Sequence, residues 1–224
     1  MRKIQAAFVL AFMALLLRAT AQTAATIPQE QPSPQNQLVD AARKGDLALV
    51  EQLLAKGVRI DSKNRGGFTA LIVAAASGQT NVVELLLKKG ARLDLQDDRG
   101  DTALHYAVMI GNIDVAKLLL AKGANIEVQE EGGLTPLMLS IVSGSPELVK
   151  LLLSHGANTE ARDKNGFTAL MAASGGGFVD LVKLLLDQGA HVNAKSDDGT
   201  TALTLAANNG KTDIVALLRE RGAQ

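Results

Sequence analysis

The sequence predicts an all-α fold, a solenoid of similar helix-turn-helix units joined by short β-turn or hairpin loops. A threonine followed by Ala-Leu or Pro-Leu recurs every 33 residues without insertion, at Thr69, Thr102, Thr135, Thr168 and Thr201. Self-similarity at one fixed period is the signature of stacked repeats, in which each unit contacts only its neighbours. We therefore expect one elongated domain built from these units.

Three glycine columns keep the same 33-residue step. They are Gly45, Gly78, Gly111, Gly144, Gly177 and Gly210; Gly57, Gly90, Gly123, Gly156, Gly189 and Gly222; and Gly67, Gly100, Gly133, Gly166 and Gly199. Glycine is favoured after a helix because the residue there often takes a left-handed conformation. The first two columns thus predict the ends of two helices per unit. The third lies two residues before each threonine, which we expect to cap the first helix with its hydroxyl.

The second helix of each unit carries apolar residues at helical spacing, such as Val82, Val83 and Leu86. A leucine triplet recurs in four units, whereas the first unit has Gln52 and the last has Arg219 at the corresponding places. Terminal repeats need a polar outer face. This pattern predicts six units, of which the first and the last are caps.

The first 21 residues differ from the repeats. Arg2 and Lys3 precede an apolar stretch, and Ala19-Thr20-Ala21 is typical of a cleavage site, which predicts a secretory signal peptide. The alternative, an uncleaved anchor, needs about 20 apolar residues, more than this stretch contains.

Prolines and glutamines in residues 22–37 predict a disordered spacer. The expected repeat domain covers 38–224, with its boundaries at 38–63 for the first cap, 64–96, 97–129, 130–162 and 163–195 for the repeats, and 196–224 for the last cap.

Composition limits the classes of partner. Loss of Arg2, Lys3 and Arg18 leaves 20 basic against 23 acidic residues, a net charge of −3, so nucleic acid is not expected as a partner. The chain has no cysteine and therefore no disulfide. We expect an exported protein that keeps no membrane span after cleavage of the signal peptide and is located in the bacterial periplasm or, alternatively, secreted.

The segment from Asp97 to Ala107, Asp-Asp-Arg-Gly-Asp-Thr-Ala-Leu-His-Tyr-Ala, resembles the ankyrin repeat pattern of a turn, Thr-Pro-Leu-His and an inner helix. The resemblance extends over nearly all of the chain after the spacer. It implies a protein-interaction scaffold without inherent catalytic residues, whose turns and inner helices line a concave face. The sequence departs from the pattern in having the proline only at Pro136 and the histidine only at His105.

No cofactor or metal site is predicted. The chain has three histidines, His105, His155 and His191, at three different positions of the repeat, where stacking keeps them apart. By the resemblance, His105 is a structural residue that hydrogen-bonds to backbone near the turn. The triple glycine 175–177 should weaken the end of one inner helix by roughly 1 kcal/mol per glycine.

The candidate binding residues lie at turn tips and at the ends of inner helices. They are Arg65, Phe68, Asp98, Arg99, Asp101, Glu131, Leu134, Lys164 and Phe167 at the tips, and Met109, Ile110 and Val142 on the helices. The apolar members are expected to form an exposed strip with charged flanks, as in an interface core with a polar rim. The alternative is that they fold back onto neighbouring turns and seal the stack.

The function expected from these patterns is a non-catalytic scaffold that binds an unidentified protein or peptide on its concave face in the cell envelope. A monomer is expected. The alternative is a structural protein that associates with its own copies through the apolar strip. An enzyme is the remaining class, and the sequence offers no set of nucleophile, base and orienting residue for one.

Overall fold

The fold is given by a computed structural model that describes residues 33–224, so the predicted signal peptide and most of the predicted spacer lie outside the described residues. The described part holds twelve helices in six antiparallel pairs and no β-strand. The inner helices are α1 (Pro34–Lys44), α3 (Ala70–Ala76), α5 (Ala103–Met109), α7 (Pro136–Val142), α9 (Ala169–Gly176) and α11 (Ala202–Asn208). The outer helices are α2 (Leu47–Ala55), α4 (Thr80–Lys88), α6 (Ile113–Ala121), α8 (Pro146–Ser154), α10 (Val179–Asp187) and α12 (Thr212–Glu220). The all-α repeat solenoid predicted from the sequence is confirmed.

The first helix begins at Pro34 and not at Leu38, so the predicted spacer of residues 22–37 extends too far. Proline is tolerated in the first turn of a helix, where its missing N–H has no intrahelical partner, and glutamine is a good helix former. Leu38 and Val39 are buried in the same helix. Residues 34–37 therefore belong to the first helix.

The threonine column caps the inner helices as predicted. The hydroxyl of Thr69 accepts a hydrogen bond from the backbone N–H of Ile72 at 3.2 Å, and the other threonines make the equivalent contact. Each such cap contributes about 1 kcal/mol of helix stability. All five threonines are buried.

The core lies between the two layers of helices. Each inner helix contacts the inner helix of the next unit and its own outer helix, and most successive outer helices also touch. The buried side chains are mostly leucine, valine, isoleucine and alanine, with Tyr106 the largest among them. Small side chains allow short helices to pack closely, so every unit depends on its neighbours for burial.

The turn tips form hairpins that are linked to one another by backbone hydrogen bonds. Within one tip the N–H of Asp97 donates to the carbonyl of Asp101 at 2.9 Å, and between tips the N–H of Glu131 donates to the carbonyl of Arg99 at 2.7 Å. Gly133 has φ +83°, and a Cβ there would lie 2.7 Å from the backbone nitrogen of Lys164. The neighbouring tip therefore approaches where only glycine fits.

Side chains reinforce the stack at two further columns. Acceptors at Asp61, Asp94, Glu127 and Glu160 receive the backbone N–H of the residue 31 positions later, at 2.8 to 3.1 Å. Donors at Lys63, Gln96, Gln129 and Arg162 reach the carbonyl 33 positions later, at 2.6 to 3.2 Å. These bonds satisfy loop backbone groups that have no helical partner.

The triple glycine does not shorten its helix. Helix α9 continues through Gly176, and Gly177 ends it in the left-handed conformation with φ +83°. The carbonyl of Gly175 accepts a hydrogen bond from the side-chain amide of Asn209 at 3.0 Å, which ties this end to the last unit.

Candidate functional site

The turn tips place most of their predicted binding residues at the surface. Arg65, Asp98, Arg99, Glu131 and Lys164 are exposed. Since these tips are fixed to their neighbours by backbone hydrogen bonds, the charged side chains project from a preorganised edge.

The prediction that Asp101 is a binding residue is wrong. The residue is buried, with 4% of its surface exposed, and does not project from the tip. Its carboxylate lies 3.4 Å from the guanidinium of Arg99. Burial, followed by the nearby carboxylate of Asp97, raises the pKa of Asp101 to about 6. The residue belongs to the interior of the tip and is not available to a ligand.

Asp101 forms part of a polar cluster together with Asp97, Arg99 and Tyr106. The phenol of Tyr106 donates to Oδ2 of Asp97 at 2.7 Å and accepts from the guanidinium of Arg99 at 2.7 Å. The other carboxylate oxygen of Asp97 accepts the backbone N–H groups of Arg99 and Asp101, at 2.9 and 3.0 Å. Burial and the bond to Asp97 raise the pKa of Tyr106, which stays protonated. This cluster holds one tip rigid.

The apolar residues at the tips are half-buried. Phe68, Leu134 and Phe167 each fall between buried and exposed. The ring of Phe68 lies against that of Tyr106 with centroids 5.9 Å apart and a tilt of 57°, a favourable aromatic arrangement. These side chains thus seal the tips in part, and they offer only one edge to the surface.

The apolar residues at the ends of the inner helices are the most open part of the predicted strip. Ile110 is 44% exposed and Val142 is 61% exposed, while Met109 is half-buried. Ile110 caps helix α5 and Val142 is the last residue of α7, and these two helices contact each other. Two branched aliphatic side chains are therefore presented to solvent by adjacent units.

His105 has the structural surroundings expected of it. The imidazole is fully buried; its Nδ1 accepts the backbone N–H of Thr102 at 3.2 Å, and its Nε2 lies 3.4 Å from the carbonyl of Leu134. The tautomer that satisfies both contacts carries its proton on Nε2. Burial lowers the pKa of His105, so the ring is held neutral and links two units.

An acidic row at the opposite edge was not picked out from the sequence. Asp114, Glu147, Asp180 and Asp213 are exposed second residues of four outer helices, at a constant spacing of 33. The row is visible in the sequence, because its acidic residues recur every 33 positions as the threonines and glycines do. A carboxylate in the first turn stabilises a helix through its favourable interaction with the helix dipole, which explains the placement of these residues within each unit.

Over residues 33–224 no three histidine, cysteine, aspartate or glutamate side chains come together in a way that can hold a metal ion. In the same part of the chain, no helix has the length and apolar character needed to cross a bilayer.

Comparison with known proteins gives a family. A family model described as ankyrin repeats (3 copies) matches residues 38–130, 94–163 and 137–224. No curated protein sequence matches the chain. Ankyrin repeats are general protein–protein interaction modules, and proteins built from them are typically non-catalytic scaffolds. With helix pairs at a 33-residue period and family matches that run from residue 38 to residue 224, the chain belongs to the ankyrin repeat family.

Proposed function

We propose that the protein is a non-catalytic scaffold that binds a protein or peptide ligand on its concave face. The observation that carries this proposal is the exposure of Ile110 and Val142 on adjacent inner helices. Isolated apolar residues at a surface need no explanation, but a pair on neighbouring units, in a family of interaction modules, forms the start of an interface core.

Preorganisation supports the same proposal. The tips that flank these residues are held by inter-unit backbone bonds and by the Asp97, Arg99 and Tyr106 cluster. A rigid surface loses little conformational entropy on association, so a modest apolar contact can support specific binding.

The location that fits this scaffold is the bacterial cell envelope, with the periplasm preferred over secretion. The proposal is supported by Arg2, Lys3 and the apolar stretch that follows them, and by the small residues up to Ala21. Mass spectrometry of the protein recovered from an envelope fraction tests it. A mature chain beginning at Gln22 is expected, and a chain that keeps Met1 and stays in the cytoplasm would contradict export.

Site-specific photocrosslinking tests the binding surface. The chain has no cysteine, so a single introduced cysteine is labelled uniquely by a benzophenone maleimide. We expect Val142→Cys to give a discrete crosslinked product in a native extract. Leu47→Cys is the matched control, because Leu47 is also an exposed aliphatic residue, 37% accessible, at the start of outer helix α2.

The pattern of products decides the outcome. A product from Val142→Cys that is absent from Leu47→Cys supports the concave face. Identical products from both positions, or products from Leu47→Cys alone, would contradict it. A product consisting of two copies of this chain would favour the self-associating alternative.

A further inference from the structure

The charge of the turn tips next to Ile110 and Val142 differs from that of the turn tips taken together. Across all units the tips carry both signs, including Arg65 and Lys164. In the two units that present Ile110 and Val142, the exposed carboxylates at the tips are Asp98 and Glu131.

The other edge of the same surface is also acidic. The inner helix ends and the outer helix starts at one turn, and in these two units that turn brings in Asp114 and Glu147. Both side chains are exposed, and neither takes part in any ion pair found among residues 33–224. The turns 110–114 and 143–147 contain no lysine or arginine.

Three basic residues lie close in sequence to these carboxylates: Arg99 in the tips, and Lys117 and Lys150 three residues after Asp114 and Glu147 on the outer helices. Arg99 is the basic residue of tips 97–101 and 130–134, and it contacts both Asp101 and Tyr106. It offsets part of the negative charge of Asp97 and Asp101 in its own tip. Neither Lys117 nor Lys150 forms an ion pair found among residues 33–224, so the exposed carboxylates on the two edges remain available to a ligand.

We propose that this surface binds a cationic amphipathic peptide segment of a protein partner. Aliphatic side chains of the segment contact Ile110 and Val142, and its lysine or arginine side chains lie towards Asp114 and Glu147 on one edge and towards Asp98 and Glu131 on the other. An inner helix of seven residues spans about 10 Å, so one extended or helical segment can meet both edges. Charge complementarity of this kind sets partner choice and the association rate.

This inference rests on the proposed binding by the concave face, to which it adds the chemistry of the partner. The carboxylates in the first turns of the outer helices also stabilise those helices. Their relevance to a ligand comes from the exposed apolar pair beside them, which a helix-dipole role does not require.

Fluorescence anisotropy with defined peptides tests the inference. The probe is a labelled amphipathic peptide of about 14 residues made of leucine and lysine at helical spacing, with a leucine–glutamate peptide of the same pattern as its control. We expect the lysine peptide to bind at low ionic strength and to weaken as salt is added, and the glutamate peptide not to bind. Equal binding of both peptides, or no binding of the lysine peptide, would overturn the inference.

Charge-neutralising variants locate the binding. Asp114→Asn with Glu147→Gln should weaken the lysine peptide about tenfold, since two exposed charge interactions are lost. The matched control is Glu84→Gln with Glu220→Gln, which removes the same net charge from exposed positions on outer helices. An equal loss in both variants would show non-specific attraction and would contradict the assigned site.

The two proposals fail separately. The photocrosslink from Val142→Cys is repeated with Asp114→Asn and Glu147→Gln added. If it persists at full yield, the concave face binds a partner, but the inference that the partner segment is cationic is wrong. If the Val142→Cys crosslink is absent while the lysine peptide still binds at Asp114 and Glu147, the proposed scaffold function fails and the charge preference stands.

Discussion

The three adjacent glycines at the end of helix α9 allow a sharp test of the local geometry, because an added methyl group meets three different environments. At Gly175 the nearest atoms to a Cβ are the amide nitrogen of Asn209 at 3.5 Å and the Cβ of Leu205 at 3.8 Å, both ordinary contacts. At Gly176 a Cβ falls 2.5 Å from the ring of Phe178, and Gly177 has φ +83°. The same substitution should therefore have three different effects.

Gly175→Ala should stabilise the protein by about 0.5 to 1 kcal/mol, since alanine loses less backbone entropy in a helix and fits here without a clash. For a domain of this size that corresponds to a rise in melting temperature of about 1 to 4 °C. Gly176→Ala should lose this gain because the ring of Phe178 must move. Gly177→Ala should destabilise by roughly 1 to 2 kcal/mol, since a left-handed conformation is costly for alanine.

Thermal and urea unfolding of the three variants, followed by circular dichroism, gives the order of stability. The expected order is Gly175→Ala above wild type, Gly176→Ala below Gly175→Ala, and Gly177→Ala below wild type. A Gly175→Ala variant less stable than wild type, or three equal shifts, would refute the argument from local space and backbone conformation.

Three other predictions concern the buried polar groups of the Asp97 unit and are checked by urea unfolding as a function of pH. Asp101→Asn should raise the free energy of unfolding at pH 7 by on the order of 1 to 3 kcal/mol, because the pKa of Asp101 is raised to about 6 in the folded state. The gain should vanish below about pH 4, where the carboxyl is protonated in both states. No gain at pH 7 would contradict this. Because the pKa of His105 is lowered in the folded state, the unfolded chain takes up the proton at a higher pH, and the free energy of unfolding should fall as the pH drops below about 6.5. His105→Gln should reduce this pH dependence. An unchanged slope would count against a neutral imidazole. Tyr106→Phe should cost about 1 to 3 kcal/mol, because the buried carboxylate of Asp97 loses a donor; a neutral effect would mean that water replaces the phenol.

The periodic part of the fold could be predicted from the sequence because it repeats. The threonine and glycine columns fix the register of every unit, and the structure places helix caps and positive-φ glycines at those columns. The acidic row and the inter-unit donors could have been predicted in the same way, since both recur every 33 residues.

The details that the sequence did not predict depend on neighbours that are not periodic. Asp101 is buried in a cluster with Asp97, Arg99 and Tyr106, a combination that occurs in one unit only. The equivalent tip residues elsewhere are Phe68, Leu134, Phe167 and Thr200. By contrast, the position of Ile110 is exposed in other units too, at Ser77, Gly176 and Asn209, so only the apolar side chain there is particular to this unit. Ile110 and Val142 are exposed, whereas Phe68, Leu134 and Phe167 at the tips of the predicted strip are half-buried.

The most direct test of the central claim, that the concave face is the docking surface, is affinity capture from the native envelope fraction by the double variant Ile110→Asp and Val142→Asp. Leu47→Asp is the control, and melting temperatures of both variants are measured alongside. The account predicts that one protein retained by the wild type and by Leu47→Asp is lost from the double variant, with its melting temperature unchanged because both side chains are exposed. Full retention by the double variant, or an equal loss with Leu47→Asp, would contradict it.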